Sequence, residues 1–188
     1  MKYSEIYTPD FLKLMAKKVG KSESEFIELL DSEVIDDSNG KINIEYIAEK
    51  LNIDIDYQDM PNDSGSLQDN KITIDKNETT ERQRFTIGHE IGHFMLGDTE
   101  AARKDSTLGY TRKEMEHEKV ANAVSAELLM PRQLVVNNVS QVITSHELNK
   151  TSLSSDQVAS ILSKVAEIMQ VSVQALTYRV KNLQLFTD

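Results

Sequence analysis

Two histidines stand four residues apart in the stretch FTIGHEIGHFML, residues 85–96, as His89 and His93, with Glu90 between them. On an α-helix, residues with that spacing lie within about 40° of each other around the axis, one turn apart. Two imidazole nitrogens on one helix face can then meet a single tetrahedral metal ion at about 2.0–2.1 Å. Glu90 lies about 60° around from His93, beside such an ion rather than aimed at it. From there a carboxylate can act as general base toward a water polarised by the metal.

The surroundings favour this chemistry. A string of this form arises by chance in roughly one chain of this size in a few hundred, and many chance copies would fall in exposed segments. Here it lies in an apolar run, with Ile87, Ile91 and Phe94 on the side away from the histidines. Bare His–Glu–His in a buried helix would be costly, and a metal ion satisfies the histidines. Gly88 and Gly92 share the histidine side, although each weakens a helix by roughly 1 kcal/mol relative to alanine. Their placement predicts close approach by another backbone or by a bound substrate.

Catalytic zinc usually has three protein ligands and one open position. The best source of a third ligand is the segment MEHEKVANAVSAELLMP, residues 115–131, with Glu114 just ahead of it. Glu114, Glu116, His117, Glu118 and Glu127 all compete. Glu118 and Glu127 are nine residues apart and point to opposite sides of a helix, so both cannot face the metal. Asn122 shares a face with Glu118 and could orient it. Helix geometry leaves both Glu118 and His117 open. Tyr110, Arg112 and His117 are candidates to stabilise an oxyanion.

The elements that must position these residues follow from pattern and punctuation. Thr8-Pro9 opens a helix that runs to about Val19 and stops at Gly20. Ser22 and Glu25 form a capping box for the next helix, and 43–51 is a short amphipathic third. IDIDY (53–57) and KITID (71–75) alternate as strands do, and the second could offer its edge to an extended peptide or lie inside a sheet. Residues 60–70 read as turn. Helices are expected from 79–80 to Gly97, from about 113 to 130, over 134–142, 156–169 and 172–183, with a polar loop over 98–112. The mixture predicts an α+β fold.

Bulk properties exclude several classes. The 188 residues allow one domain with a real core, or a domain with a small appendage. No apolar run approaches the roughly 20 residues of a membrane span. MKYSEIYTPDF has no apolar core like that of a signal peptide, so a cytoplasmic setting is expected. The absence of cysteine removes disulfides, thiolate metal sites and cysteine nucleophiles. A net charge of −10 disfavours general nucleic-acid binding and suits a basic protein partner. From Thr151 onward, Lys164, Arg179 and Lys181 balance Asp156, Glu167 and Asp188. The C-terminal helices, despite helix-turn-helix spacing, are therefore expected to pack or to dock a partner rather than read DNA.

RQRFTIGHEIGHFML followed by EKVANAVSAELLMP resembles the ImmA/IrrE family of bacterial metallopeptidases. The family pattern is RxRFTxAHExGH and then an ExxAN-x-FAAxLLMP helix. The chain departs from it at Gly88 and Ser125, where alanine is usual, and at Val124, where phenylalanine is usual. The resemblance extends over about residues 41–188. It implies that His89 and His93 bind the metal, that Glu90 is the catalytic glutamate and that Glu118 is the third ligand. His117 is then expected at the surface. The implied cofactor is Zn2+ in a gluzincin-like site, with Mn2+ or Fe2+ less favoured. The implied architecture is N-terminal helices over 1–40, a zincin-like core over 41–140 (a small twisted sheet packed on helices), and a helical, helix-turn-helix-like pair over 141–188. The implied activity is site-specific cleavage of a helix-turn-helix transcriptional repressor, which derepresses genes of a mobile element, phage or stress response. The alternative is a non-catalytic, metal-stabilised anti-repressor or a toxin–antitoxin component that acts by binding.

Overall fold

A computed structural model describes residues 1–35, 40–98, 100–101 and 111–186. Four helices come first: α1 (Tyr3–Ile6), α2 (Pro9–Lys18), α3 (Glu23–Leu30) and α4 (Ile44–Lys50). Strands β1 (Asp54–Gln58), β2 (Gly65–Gln68) and β3 (Lys71–Asp75) follow, then helix α5 (Thr80–Leu96) and the two-residue strand β4 (Glu100–Ala101). Helices α6 (Arg112–Leu129), α7 (Arg132–Ser145), α8 (Ser155–Met169) and α9 (Val173–Asn182) complete the order. The result is a mixed α+β fold, mostly helical, around one small sheet. Among the described residues no helix is long and apolar enough to cross a membrane.

The sheet runs β1-β3-β2-β4, with β1 and β3 parallel and the other neighbours antiparallel. β2 falls inside the segment whose Gly, Ser and Asp content reads as turn. Leu67 is the one apolar side chain of β2, and it pairs with Ile72 across the hairpin. Asp69 makes the tight turn with φ of 52°, a conformation Asp tolerates. β3 lies between β1 and β2, so KITID has no edge to offer an added strand. Leu67, Ile72 and Ile74 are buried and α5 packs on β2 and β3.

The ends of the two central helices are fixed locally. Thr79 caps α5 by accepting from the Arg82 amide, and Gly97 closes it in the left-handed conformation at φ 84°. Thr111 and Glu114 form a capping box at the start of α6. One apolar core runs from Tyr3 in α1 to Val180 in α9 and takes in Phe26, Ile47, Ile87, Ile91, Leu128 and Val165.

Candidate metal centre

Helix α5 is buried from Thr86 to Phe94 on every face, which is why its low amphipathicity does not matter. Sheet covers part of it and α6 covers the histidine side. The glycines permit that. A Cβ on Gly92 would stand 2.5 Å from the Cα of Ala121, and one on Gly88 would stand 2.6 Å from Ser125 Oγ. The close approach predicted for these glycines is therefore made by α6, through its backbone at Gly92 and through the Ser125 side chain at Gly88. It carries Glu118 to the histidines.

His89 Nε2 and His93 Nε2 are 3.1 Å apart. Glu118 completes a triangle, with Oε2 at 3.4 Å from His89 Nε2 and Oε1 at 3.3 Å from His93 Nε2. Ligands held about 2.0–2.1 Å from one tetrahedral ion stand about 3.3 Å from each other, so the two nitrogens and the carboxylate of Glu118 have the spacing of a zinc ligand set. His89, Glu90 and His93 are buried, while Glu118 keeps 31% of its side-chain surface. Glu118 is thus the donor nearest to solvent.

The other ring nitrogens are held from outside. His89 Nδ1 lies 3.1 Å from Asn122 Oδ1, and His93 Nδ1 lies 3.0 Å from Asp98 Oδ2. With Nδ1–H donated to these oxygens, each Nε2 lone pair faces the triangle. Two such lone pairs and a carboxylate facing one another repel unless a cation lies among them, so the residues present fit a divalent metal. Asn122 therefore orients His89, not Glu118 as its helix spacing suggests.

Asp98 was not among the residues singled out by spacing. Gly97 turns the chain back, so that the Asp98 amide donates to the His93 carbonyl at 3.1 Å and the Asp98 side chain returns to the His93 ring. The same carboxylate accepts from His117 Nδ1 at 3.0 Å. Burial pushes the Asp98 pKa up, but the hydrogen bonds from His93 and His117 help to outweigh it and hold the carboxyl below its ordinary value. His117 is half-buried beside Asp98, with 27% of its side-chain surface left to solvent. An acidic residue just past a helix-ending glycine was the available signal. Phe85 covers another side, its ring stacked on His89 with centroids 6.4 Å apart.

The competing donors have other partners. Glu114 caps its own helix, Glu116 pairs with Arg112 at the surface, and Glu127 pairs with Arg179. Arg112 points to solvent with 92% of its side-chain surface exposed, far from the role of an oxyanion donor. Tyr110 lies outside the described residues. Among the described residues, His89, His93 and Glu118 form the group able to hold a metal ion.

The family model that matches the chain is Peptidase_M78, described as the IrrE N-terminal-like domain, over residues 48–181. That range includes all three donors, Glu90, Asp98 and Asn122. A comparison with curated proteins found no match.

Proposed function

The chain belongs to the IrrE N-terminal-like family of peptidases, and on that premise we propose that it is a zinc-dependent endopeptidase that cleaves a helix-turn-helix transcriptional repressor. The observation that carries the reading is the convergence of His89, His93 and Glu118 on one point, with buried Glu90 in the same turn of helix. In this reading the sheet and α4–α7 form a zincin-like core, and α8–α9 form a helix-turn-helix-like pair that docks protein rather than DNA.

His89 Nε2, His93 Nε2 and a Glu118 oxygen would hold the ion, and imidazole with carboxylate suits zinc over harder or softer metals. When bound, the ion supplies Lewis acidity toward a carbonyl and lowers the pKa of water to about 7. The remaining work is done by the chain. Glu90 accepts a proton from the attacking water on its carboxylate and passes it to the leaving amine nitrogen. Asn122 and Asp98 fix the tautomers of His89 and His93 so that Nε2 stays unprotonated. Phe85 shields His89 from bulk water on one side.

A helix-turn-helix repressor encoded beside this chain is the substrate to test. Incubation followed by mass spectrometry of the fragments should give a single cut, abolished by chelator and by Glu90→Gln. An intact repressor under the same conditions, or derepression in a reporter cell by Glu90→Gln, would rule out cleavage as the mechanism.

A further inference from the structure

We infer that the substrate is held by a groove between α6 and the α8–α9 pair, and that the groove takes a basic amphipathic helix lying next to the bond to be cut. This rests on the peptidase reading of the neighbouring centre. The cavity measures about 860 Å³, large enough for the apolar face of two or more helical turns. It adjoins the candidate metal centre through Phe85 and Asn122, which line it and also contact His89, while His89, Glu90, His93 and Glu118 themselves lie outside its lining. Ala126, Leu129, Ala166 and Val171 form an apolar floor. Tyr178 and Val173 stand over it with 63% and 47% of their surface exposed, large apolar side chains left in water beside the groove.

The form of the partner follows from what lines the groove. Among the described residues its walls are helices α5, α6, α8 and α9 or their caps and turns, and no strand contributes a residue. There is no backbone ladder to receive an extended strand here, so recognition is by side-chain packing, the mode by which an apolar groove takes an amphipathic helix. Peptide hydrolysis needs an extended backbone at the metal. The helix therefore ends near Phe85, next to the scissile bond. The sign of the partner follows from charge. Glu81 and Glu167 on the rim are offset by Arg82 and Lys119, and Arg179 is tied to Glu127. With the rim balanced, the long-range field of a chain of net charge −10 favours the approach of a basic helix over an acidic one.

The test uses the full chain carrying Glu90→Gln, so that binding is read without cutting. The probes are labelled peptides of leucine and lysine at helical spacing, the same composition scrambled, and a leucine–glutamate counterpart. Anisotropy should show the ordered leucine–lysine peptide bound at least about tenfold tighter than either control, and Tyr178→Ala with Val173→Ala should remove about tenfold, the scale of lost interface anchors. Amide shifts should move in α6, α8 and α9. Equal binding by the scrambled or acidic peptide, unchanged affinity in the double variant, or shifts on another face would each overturn the inference. A wild-type chain that cuts the repressor while the peptide fails to bind sinks the groove alone. Peptide binding with no cutting sinks the catalytic reading alone.

Discussion

The backbones of α5 and α6 touch where Gly92 meets Ala121: a Cβ placed on Gly92 falls 2.5 Å from Ala121 Cα and 2.9 Å from its carbonyl oxygen. The obstacle is main chain, which cannot swing aside. Gly92→Ala gains roughly 1 kcal/mol of helix propensity. Overpacking a tight contact costs about 1–3 kcal/mol and more when helices must separate, so the steric effect wins. Because α6 carries Glu118, its displacement also widens the donor triangle. Gly92→Ala should lower the melting temperature and weaken zinc binding, as measured by competition with a chromophoric chelator. Unchanged zinc affinity would show that α6 is not held in place by this contact.

Gly88 gives a contrasting case. There the nearest obstacle is the Ser125 hydroxyl at 2.6 Å, a side-chain atom that donates to the Phe85 carbonyl at 2.9 Å. The family pattern has alanine at both positions, whereas this chain pairs a smaller residue with a larger one. Gly88→Ala alone should destabilise the fold. Adding Ser125→Ala should recover most of the loss, with a coupling of about 1 kcal/mol or more in a urea double-mutant cycle. Additive effects would mean that the two departures are unrelated.

The centre was more legible than its supports. The spacing of His89 and His93 carries its own geometry, because an α-helix fixes it. Glu118 did not: helix periodicity left it level with His117, and only the longer family pattern separated them. The capping residues Thr8 and Ser22 announced their helices because each satisfies an amide within its own turn. β2 was hidden because a strand of Gly, Ser, Leu and Gln has no period of its own and exists through pairing with β3. The role of Asn122 was hidden for the same reason. It is defined by a partner on another element, and no local rule says which face of α6 meets His89.

Asp98 accepts from two imidazoles, one on each central helix, through His93 Nδ1 and His117 Nδ1. Removing it with Asp98→Ala frees the His93 ring to rotate and to take the wrong tautomer. Loss of such an outer partner typically costs about 10–100-fold in metal affinity. The expected result is that loss in a zinc titration, with His117→Gln affecting affinity less because His117 is not a ligand. An Asp98→Ala chain that binds zinc as tightly as the parent would show that packing alone orients His93.

Tyr7 ties the N-terminal helices to the end of α6. It is buried, and its hydroxyl donates to the Leu128 carbonyl at 2.7 Å. Burial pushes its pKa well above the ordinary value, and burial also raises that of Tyr3, stacked beside it, to about 12. A tyrosine is neutral while protonated, so a raised folded-state pKa contributes stability in full below the unfolded value near pH 10. That contribution is lost as pH climbs toward about 12 and the unfolded chain ionises first. Urea unfolding should therefore show stability falling steeply above about pH 10. Tyr7→Phe should lower stability by about 1–3 kcal/mol at neutral pH, since it leaves the Leu128 carbonyl short of a partner. The same change should flatten the alkaline fall, with near-ultraviolet absorbance of the phenolates reporting ionisation. An equally steep fall in Tyr7→Phe would place the alkaline sensitivity on Tyr3 and other groups instead.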